Sequence, residues 1–191
     1  MRQPFIAAIG LAAAITVAGC GQQKTVDVKN ESVSGVAQKV ADSGLRMQPG
    51  RWESTMKFAK LALPPEMQAQ MDKMPPDARA VMQQSMGGNR VFASCLTKAD
   101  AEKPGGKFFG QANQNCTYER FTMGGGKIDA KLSCKLPNGV QNMAMNGSYT
   151  PDSYTMTMAV EGHGGNGHEG MSMTMDMSAK RTGECTGKED S

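Results

Sequence analysis

The chain is poor in the residues and motifs on which most enzymes and metal proteins depend. It has two histidines in 191 residues, and aromatic residues make up 5%. It contains no nucleophile elbow, no phosphate-binding loop and no HExxH zinc motif, and no CxxC pair that would indicate a structural zinc site. These absences argue against catalysis, so we predict a protein that is not an enzyme and needs no cofactor.

An excess of charge of one sign is also lacking. The chain has 21 Lys and Arg residues against 18 Asp and Glu residues, which gives a net charge of +3, and the two signs are mixed along the sequence. Proteins that bind nucleic acid usually carry a clustered basic surface. We therefore expect no nucleic-acid partner, and nothing in the composition predicts the oligomeric state.

The N-terminal segment has the layout of a bacterial lipoprotein signal. Arg2 precedes an apolar run from Phe5 to Val17, which is too short to span a membrane as a mature helix. The sequence "VAGC" at 17–20 resembles a lipobox, in which Cys20 is lipidated and becomes the first mature residue. We predict a signal peptide over 1–19 and a lipid anchor at Cys20. The alternative is an ordinary cleaved signal followed by an incidental cysteine.

The predicted location is the periplasmic face of the cell envelope, held by that lipid anchor. Gly21 stands where lipoproteins retained in the inner membrane of enteric bacteria carry aspartate, which favours the outer membrane. Removing 1–19 leaves 172 residues (191 minus 19), and the net charge becomes +2 because Arg2 is the one charge removed. This length is enough for one domain with its own core.

Composition divides the mature chain into three parts. Residues 20–46 are mostly polar and predict a tether with one or two turns of helix, residues 47–185 predict one β-rich domain, and residues 186–191 predict a tail. Within the domain, segment 64–86 has two Pro-Pro starts, helix-forming residues and a Gly-Gly stop. It therefore predicts a helical insertion of two short helices between strands.

Four cysteines follow the lipobox, an even number in an oxidising compartment, which predicts two disulfides. If the "GGG" at 124–126 is a hairpin turn centred on Gly125, opposed residues have numbers that sum to 250. Cys116 then faces Cys134, which predicts that disulfide. Cys95 and Cys185 form the second disulfide by elimination.

Apolar and polar residues alternate regularly near the C-terminus. A turn at "YTPDSY" makes opposed numbers sum to 303 and places Met145 opposite Met158, and symmetric closure of 161–170 gives a sum of 331, which places Met158 opposite Met173. The hairpin centred on Gly125 also places Glu119 opposite Lys131, which is a favourable cross-strand pair of opposite charges. The alternation predicts a mainly β fold, an antiparallel meander that forms a barrel or sandwich. One face would carry eight methionines: Met143, Met145, Met156, Met158, Met171, Met173, Met175 and Met177.

The methionines and the two histidines allow a copper hypothesis. Thioethers and imidazoles are suitable Cu(I) ligands, and His163 and His168 lie in the loop just before the last methionine strand. Against this, the inward face of a strand must be apolar in any case, and these methionines share that face with Val160 and two tyrosines. We therefore keep a copper(I)-binding periplasmic protein as the alternative function.

The preferred hypothesis is non-enzymatic binding of an apolar ligand or of an envelope partner. Unbranched methionine side chains can repack around variable apolar guests, and a helical insertion over the mouth of a barrel or half-barrel would enclose such a guest. Two alternatives stay open at this point. In the first alternative, the methionine face is a filled core without a cavity. In the second, exposed methionines act as a reversible oxidant sink.

Several segments together resemble a family of Gram-negative secreted proteins and lipoproteins that is known only as a domain of unknown function. The family is marked by a PGxWE start, a "CLTPEDA"-like segment and a closing Gly-x-Cys. Lys98 departs from it where the family often has proline. The matching segments are "MQPGRWE" at 47–53, "CLTKADA" at 95–101, "CTYERFTMGGGKIDAKLSC" at 116–134, "GSYTPDSYTMTM" at 147–158 and "MTMDMSAKRTGEC" at 173–185.

The resemblance implies little about activity, because the family has no established catalytic residues to carry over. It implies that the four cysteines form a disulfide framework, matched at Cys95, Cys116, Cys134 and Cys185. It also implies that methionine-containing strands are an ordinary feature of the family, which disfavours the copper hypothesis.

Overall fold

A computed structural model describes residues 25–102, 115–164 and 169–189, which form eight strands and four helices. The strands are β1 (Val26–Ser32), β2 (Gly50–Ala62), β3 (Arg90–Leu96), β4 (Cys116–Gly124), β5 (Lys127–Leu136), β6 (Gly139–Thr150), β7 (Ser153–Gly164) and β8 (Glu169–Gly183). The helices are α1 (Val33–Ser43), α2 (Pro65–Asp72), α3 (Pro76–Gly87) and α4 (Lys98–Glu102).

The strands form one antiparallel sheet in the order β1-β4-β5-β6-β7-β8-β2-β3. Strands β4 to β8 follow one another as a meander, and β1 and β3 are the two edges. The predicted mainly β class, with its antiparallel meander, is confirmed. The sheet is not closed, so the closed-barrel form of that prediction is not observed.

The helical insertion is confirmed as two short helices between β2 and β3. Pro65 and Pro76 occupy the first turns of α2 and α3, where a missing N–H costs no hydrogen bond. Glu66 and Asp77 lie in the same first turns and interact favourably with the helix dipoles. Local sequence therefore accounts for where both helices begin.

Residues 26–45 differ from the predicted tether, because they belong to the folded domain. β1 pairs with β4 over its length, with Val28 opposite Phe121. α1 begins after Ser32, whose hydroxyl accepts a 3.0 Å hydrogen bond from the N–H of Gly35, and it ends at Gly44 in the left-handed region. The tether prediction is wrong for this segment, and residues 20–24 lie outside the described residues.

The buried core lies between α1 and strands β1, β4 and β5. Val36 of α1 is 0% exposed and packs in one cluster with Tyr118 and Phe121, whose rings meet edge to face with centroids 5.3 Å apart. Burial raises the pKa of the Tyr118 hydroxyl to about 12. The other buried members of the cluster are Val26, Val33, Val40, Leu45, Cys116, Met123, Ile128, Ala130, Leu132 and Cys134.

A bulge in β4 lets Tyr118 and Phe121 both face this core although three positions separate them. Pairing follows the predicted sum of 250 at Tyr118 and then shifts by one residue, so that Arg120 and not Glu119 lies opposite Lys131. The predicted Glu119–Lys131 pair is therefore wrong. The bulge increases the local twist of the strand and turns one additional large apolar side chain inward.

The register predicted for β6 and β7 is confirmed, and that for β7 and β8 is wrong by two residues. Met145 lies opposite Met158, as the sum of 303 requires. Met158, however, lies opposite Met175 rather than Met173. The connection itself displaces the pairing by one residue at His163 and Glu169, and a register shift between Glu161 and His163 adds the second residue. A two-residue slip keeps every side chain on the same face, so the predicted methionine face is retained.

Both predicted disulfides are present. Cys116 and Cys134 join β4 to β5 with their Cα atoms 4.0 Å apart. Cys95 and Cys185 join the edge strand β3 to the segment after β8, with Cα atoms 5.5 Å apart. β2 lies between β3 and β8 in the sheet, so the second disulfide crosses β2. It therefore links the edge strand β3 covalently to the end of the domain.

Candidate binding face and cleft

Cross-strand pairing arranges the side chains on the face covered by α1, here called the inner face, in rows that run across the sheet. Three such rows contain methionines. The first row is Phe121, Ala130, Met145, Met158, Met175 and Phe58; the second is Tyr118, Leu132, Met143, Val160, Met173 and Leu61; the third is Met123, Ile128, Gly147, Met156, Met177 and Met56.

The two ends of these rows differ in how completely they are covered. Beneath α1, Phe121 and Tyr118 are 0% and 1% exposed. At the other end the side chains are half-buried, and Leu61 is 36% exposed. We call this second end the open half; its half-buried members are Met56, Phe58, Met158, Met173, Met175 and Met177.

The eight methionines predicted as a ligand face therefore divide into three groups. Three of them pack against the core cluster as partly buried residues: Met143, Met145 and Met156. Four belong to the open half: Met158, Met173, Met175 and Met177. Met171 is 40% exposed and lies beyond the end of the rows. The face is thus filled at one end and incompletely covered at the other.

A cleft of about 550 Å³ adjoins the open half, between β2 and the helical insertion. It exists because β3 pairs with β2 as far as Met56, whereas β2 continues to Ala62 with its edge toward the helices. Phe58 and Leu61, which end the first and second rows, line this cleft. The open half and the cleft are therefore continuous along β2.

The insertion contributes apolar and cationic side chains to the cleft. Met71 of α2 and Arg79 of α3 line it together with Lys60 of β2. Nη2 of Arg79 donates to the carbonyl oxygens of Asp72 at 2.7 Å and Met74 at 3.3 Å, which ties α3 to the end of α2. Nε of the same side chain is buried and has no hydrogen-bond partner within the described part of the chain.

The cleft was not predicted, since the sequence shows the two helices but not how far β2 extends past β3. One sequence signal for it did exist, because the apolar positions Phe58 and Leu61 continue the strand toward the insertion. The burial of Arg79 Nε, in contrast, depends on tertiary packing that no local pattern encodes.

The "PGRWE" segment that supports the family resemblance lies away from the cleft. The ring of Trp52 is stacked on Tyr154 with centroids 6.2 Å apart, and its indole N–H donates to the carbonyl of Gln48 at 3.0 Å. The Gln48 N–H donates in turn to the carbonyl of Pro151 at 2.7 Å. Gly50 has φ +137° and a close backbone neighbour in β8, so a side chain is excluded there. This motif fastens the start of β2 to the β6–β7 turn and is structural.

The structure describes one of the two histidines on which the copper hypothesis depends. His163 is exposed in β7, and His168 lies outside the described residues. Among the residues that the structure describes, no group of three or more His, Cys, Asp or Glu side chains could hold a metal ion. The copper alternative stays a prediction. No helix in the described ranges is long and apolar enough to cross a membrane.

The structure defines a mainly β protein with one open antiparallel sheet, an incompletely covered methionine face and an adjoining cleft. Residues 47–185 match the family model described as a protein of unknown function (DUF3617), and the chain belongs to that family. No curated protein and no solved structure matches the chain. The match begins at Met47, whereas α1, which supplies Val36 to the core, precedes it. The folded unit therefore extends beyond the family match.

Proposed function

We propose that this protein binds an apolar ligand, an acyl chain or a molecule like it, on the open half of the inner face. The observation that carries the proposal is the unequal burial of continuous apolar rows. The row that starts at the fully buried Phe121 ends in the half-buried Met158, Met175 and Phe58. A monomer that needed a filled core would bury both ends, since exposed contiguous apolar surface is characteristic of binding sites.

Methionine suits this role for a physical reason. Its unbranched thioether side chain changes rotamer at little cost, so neighbouring methionines can adjust around guests of different shape. The filled half under α1 contains one fully covered methionine, Met123, and its largest side chains are the rigid rings of Tyr118 and Phe121. The rigid half would keep the sheet in place while the open half adapts. An envelope protein is the competing occupant of the same surface.

A paired charge substitution tests this proposal. Met175→Lys places an ammonium in the middle of the first row, and Ser178→Lys places the same charge on the exposed opposite face of the same strand. Native mass spectrometry of protein purified from bacterial envelopes should show lipid-mass adducts for the wild type and for Ser178→Lys. In Met175→Lys the bound fraction should fall about tenfold, because the charge must be desolvated by the ligand.

Two outcomes would contradict the proposal. Adducts that persist unchanged in folded Met175→Lys would remove the open half as the binding surface. Adducts lost equally in Ser178→Lys would show a general effect of charge rather than a site. The thermal transition of each variant, followed by circular dichroism, separates lost binding from lost folding.

We propose further that Cys20 carries the lipid anchor and that the domain faces the periplasm. The lipobox-like "VAGC" at 17–20 supports this, and so do two disulfides, which are typical of oxidising compartments. In a Gram-negative host, Cys20→Ala should move the protein from the membrane fraction to the soluble fraction. A wild-type protein that is soluble and has no acyl mass on its N-terminal peptide would refute the anchor.

A further inference from the structure

An arginine that lines the cleft beside the open half has a hydrogen-bond donor without an acceptor. Arg79 lines the cleft, and its Nε is buried and unpaired within the described ranges, although Nη2 is held by two carbonyl oxygens. A buried guanidinium N–H normally has a partner, because leaving it unsatisfied is costly. Nε has no solvent-accessible surface, so a ligand that supplies an acceptor reaches it through a change of the Arg79 rotamer and then removes that cost.

Charge at the cleft also indicates an anion. The lining of the cleft includes two cations, Lys60 and Arg79, and one acid, Asp72, which is exposed to solvent. Within the described part of the chain, neither Lys60 nor Arg79 forms an ion pair. The basic members of the ion pairs found there are Lys39, Arg51, Arg120 and Arg181. The cleft therefore keeps an uncompensated positive charge that would favour an anionic group.

Part of the cleft lining is apolar and can contact a hydrocarbon chain. Its larger apolar side chains are Phe58, Leu61, Leu63 and Met71. Its volume of about 550 Å³ lies within the range of about 300–1,000 Å³ typical of small-molecule sites. Because Phe58 also ends the first methionine row, a chain lying in the cleft can continue directly onto the open half.

We propose that the ligand is a single-chain amphiphile with an anionic head, a carboxylate or a phosphate, whose head binds Arg79 while its acyl chain lies along Phe58 and the open half. This inference rests on the proposed function and specifies its ligand. Lys60 adds long-range attraction, and the planar Arg79 guanidinium provides the directional, charge-assisted hydrogen bond.

The test compares three probes of equal chain length: dodecanoate, dodecyl phosphate and dodecanol. They are titrated by calorimetry into the complete mature chain carrying Cys20→Ser, so that no anchor acyl chain competes. Both anions should bind at least about tenfold more tightly than dodecanol. Arg79→Gln should bring that ratio close to one with little change for dodecanol. Lys57→Gln, which removes the same charge from an exposed position of β2 outside the cleft lining, should keep the ratio.

The outcomes separate this inference from the function on which it rests. If the wild-type protein binds all three probes equally, the anionic head is wrong while apolar binding stands. If it binds none of them, the proposed function fails as well. An anion preference that survives in folded Arg79→Gln would overturn the role of Arg79. The wild-type ratio needs no variant, so it decides the head-group preference even if Arg79→Gln does not fold.

Discussion

Val36→Asp is expected to unfold the domain. Val36 lies in the middle of α1, is 0% exposed and packs against the cluster that contains Tyr118 and Phe121. A carboxylate there would be buried without a partner among apolar side chains, which costs about 4 kcal/mol or more. That is a large fraction of the free energy of unfolding of a typical domain, about 5–15 kcal/mol.

The matched control for this variant is Ser34→Asp, which places the same charge two residues earlier on the exposed side of α1. Urea unfolding followed by circular dichroism should give a midpoint near that of the wild type for Ser34→Asp and no folded baseline for Val36→Asp. Equal midpoints for both variants would mean that α1 is detached from the domain, as the prediction of a tether over 20–46 required.

Removal of the Cys95–Cys185 disulfide should have the second large effect. The two cysteines are 90 residues apart in sequence, and closing a loop of that length contributes about 4.6 kcal/mol by the chain-entropy estimate. The position of β3 in the sheet adds to this entropic effect. β3 is an edge strand, and in the described sheet it pairs with β2 alone. The double variant Cys95→Ala, Cys185→Ala should therefore unfold at much lower urea concentration.

A reductant provides the internal control for this prediction. In the double variant, reduction can act only through Cys116–Cys134, which spans 18 residues and contributes about 3.2 kcal/mol by the same estimate. The wild type should therefore lose more stability on reduction than the double variant does. A double variant as stable as the wild type would show that the edge strand does not depend on its covalent link.

Which residues share a face was predictable, whereas the register of the last strand was not. Alternation of apolar and polar residues has a period of two, so it places Met158 and Met175 on one face whichever pairs they form. The exact pairing depends on the loop between β7 and β8 and on the register shift near His163, each of which contributes one residue to the difference. An error of two residues leaves the face unchanged, which is why the methionine rows were still anticipated.

Local sequence was insufficient for β1. The strand "VDVKNES" has two apolar residues, and it forms because β4 offers an edge far away in sequence. The spacing of Val33, Val36 and Val40 did mark an apolar helix face. Besides the adjacent β1, however, its partner strands β4 and β5 lie more than seventy positions further along the chain. The buried Nε of Arg79 was likewise invisible, since its burial arises from the packing of two helices and not from a motif.

Methionine methyl NMR tests the central claim, binding at the open half, most directly. With ¹³C-methyl methionine in the mature protein, titration with dodecanoate should shift the signals of Met158, Met175 and Met177. Met123, which is 5% exposed in the filled half, should stay unchanged, and so should Met67, which is 47% exposed on α2. Shifts absent from the open half, or equal across all methionines, would contradict the account.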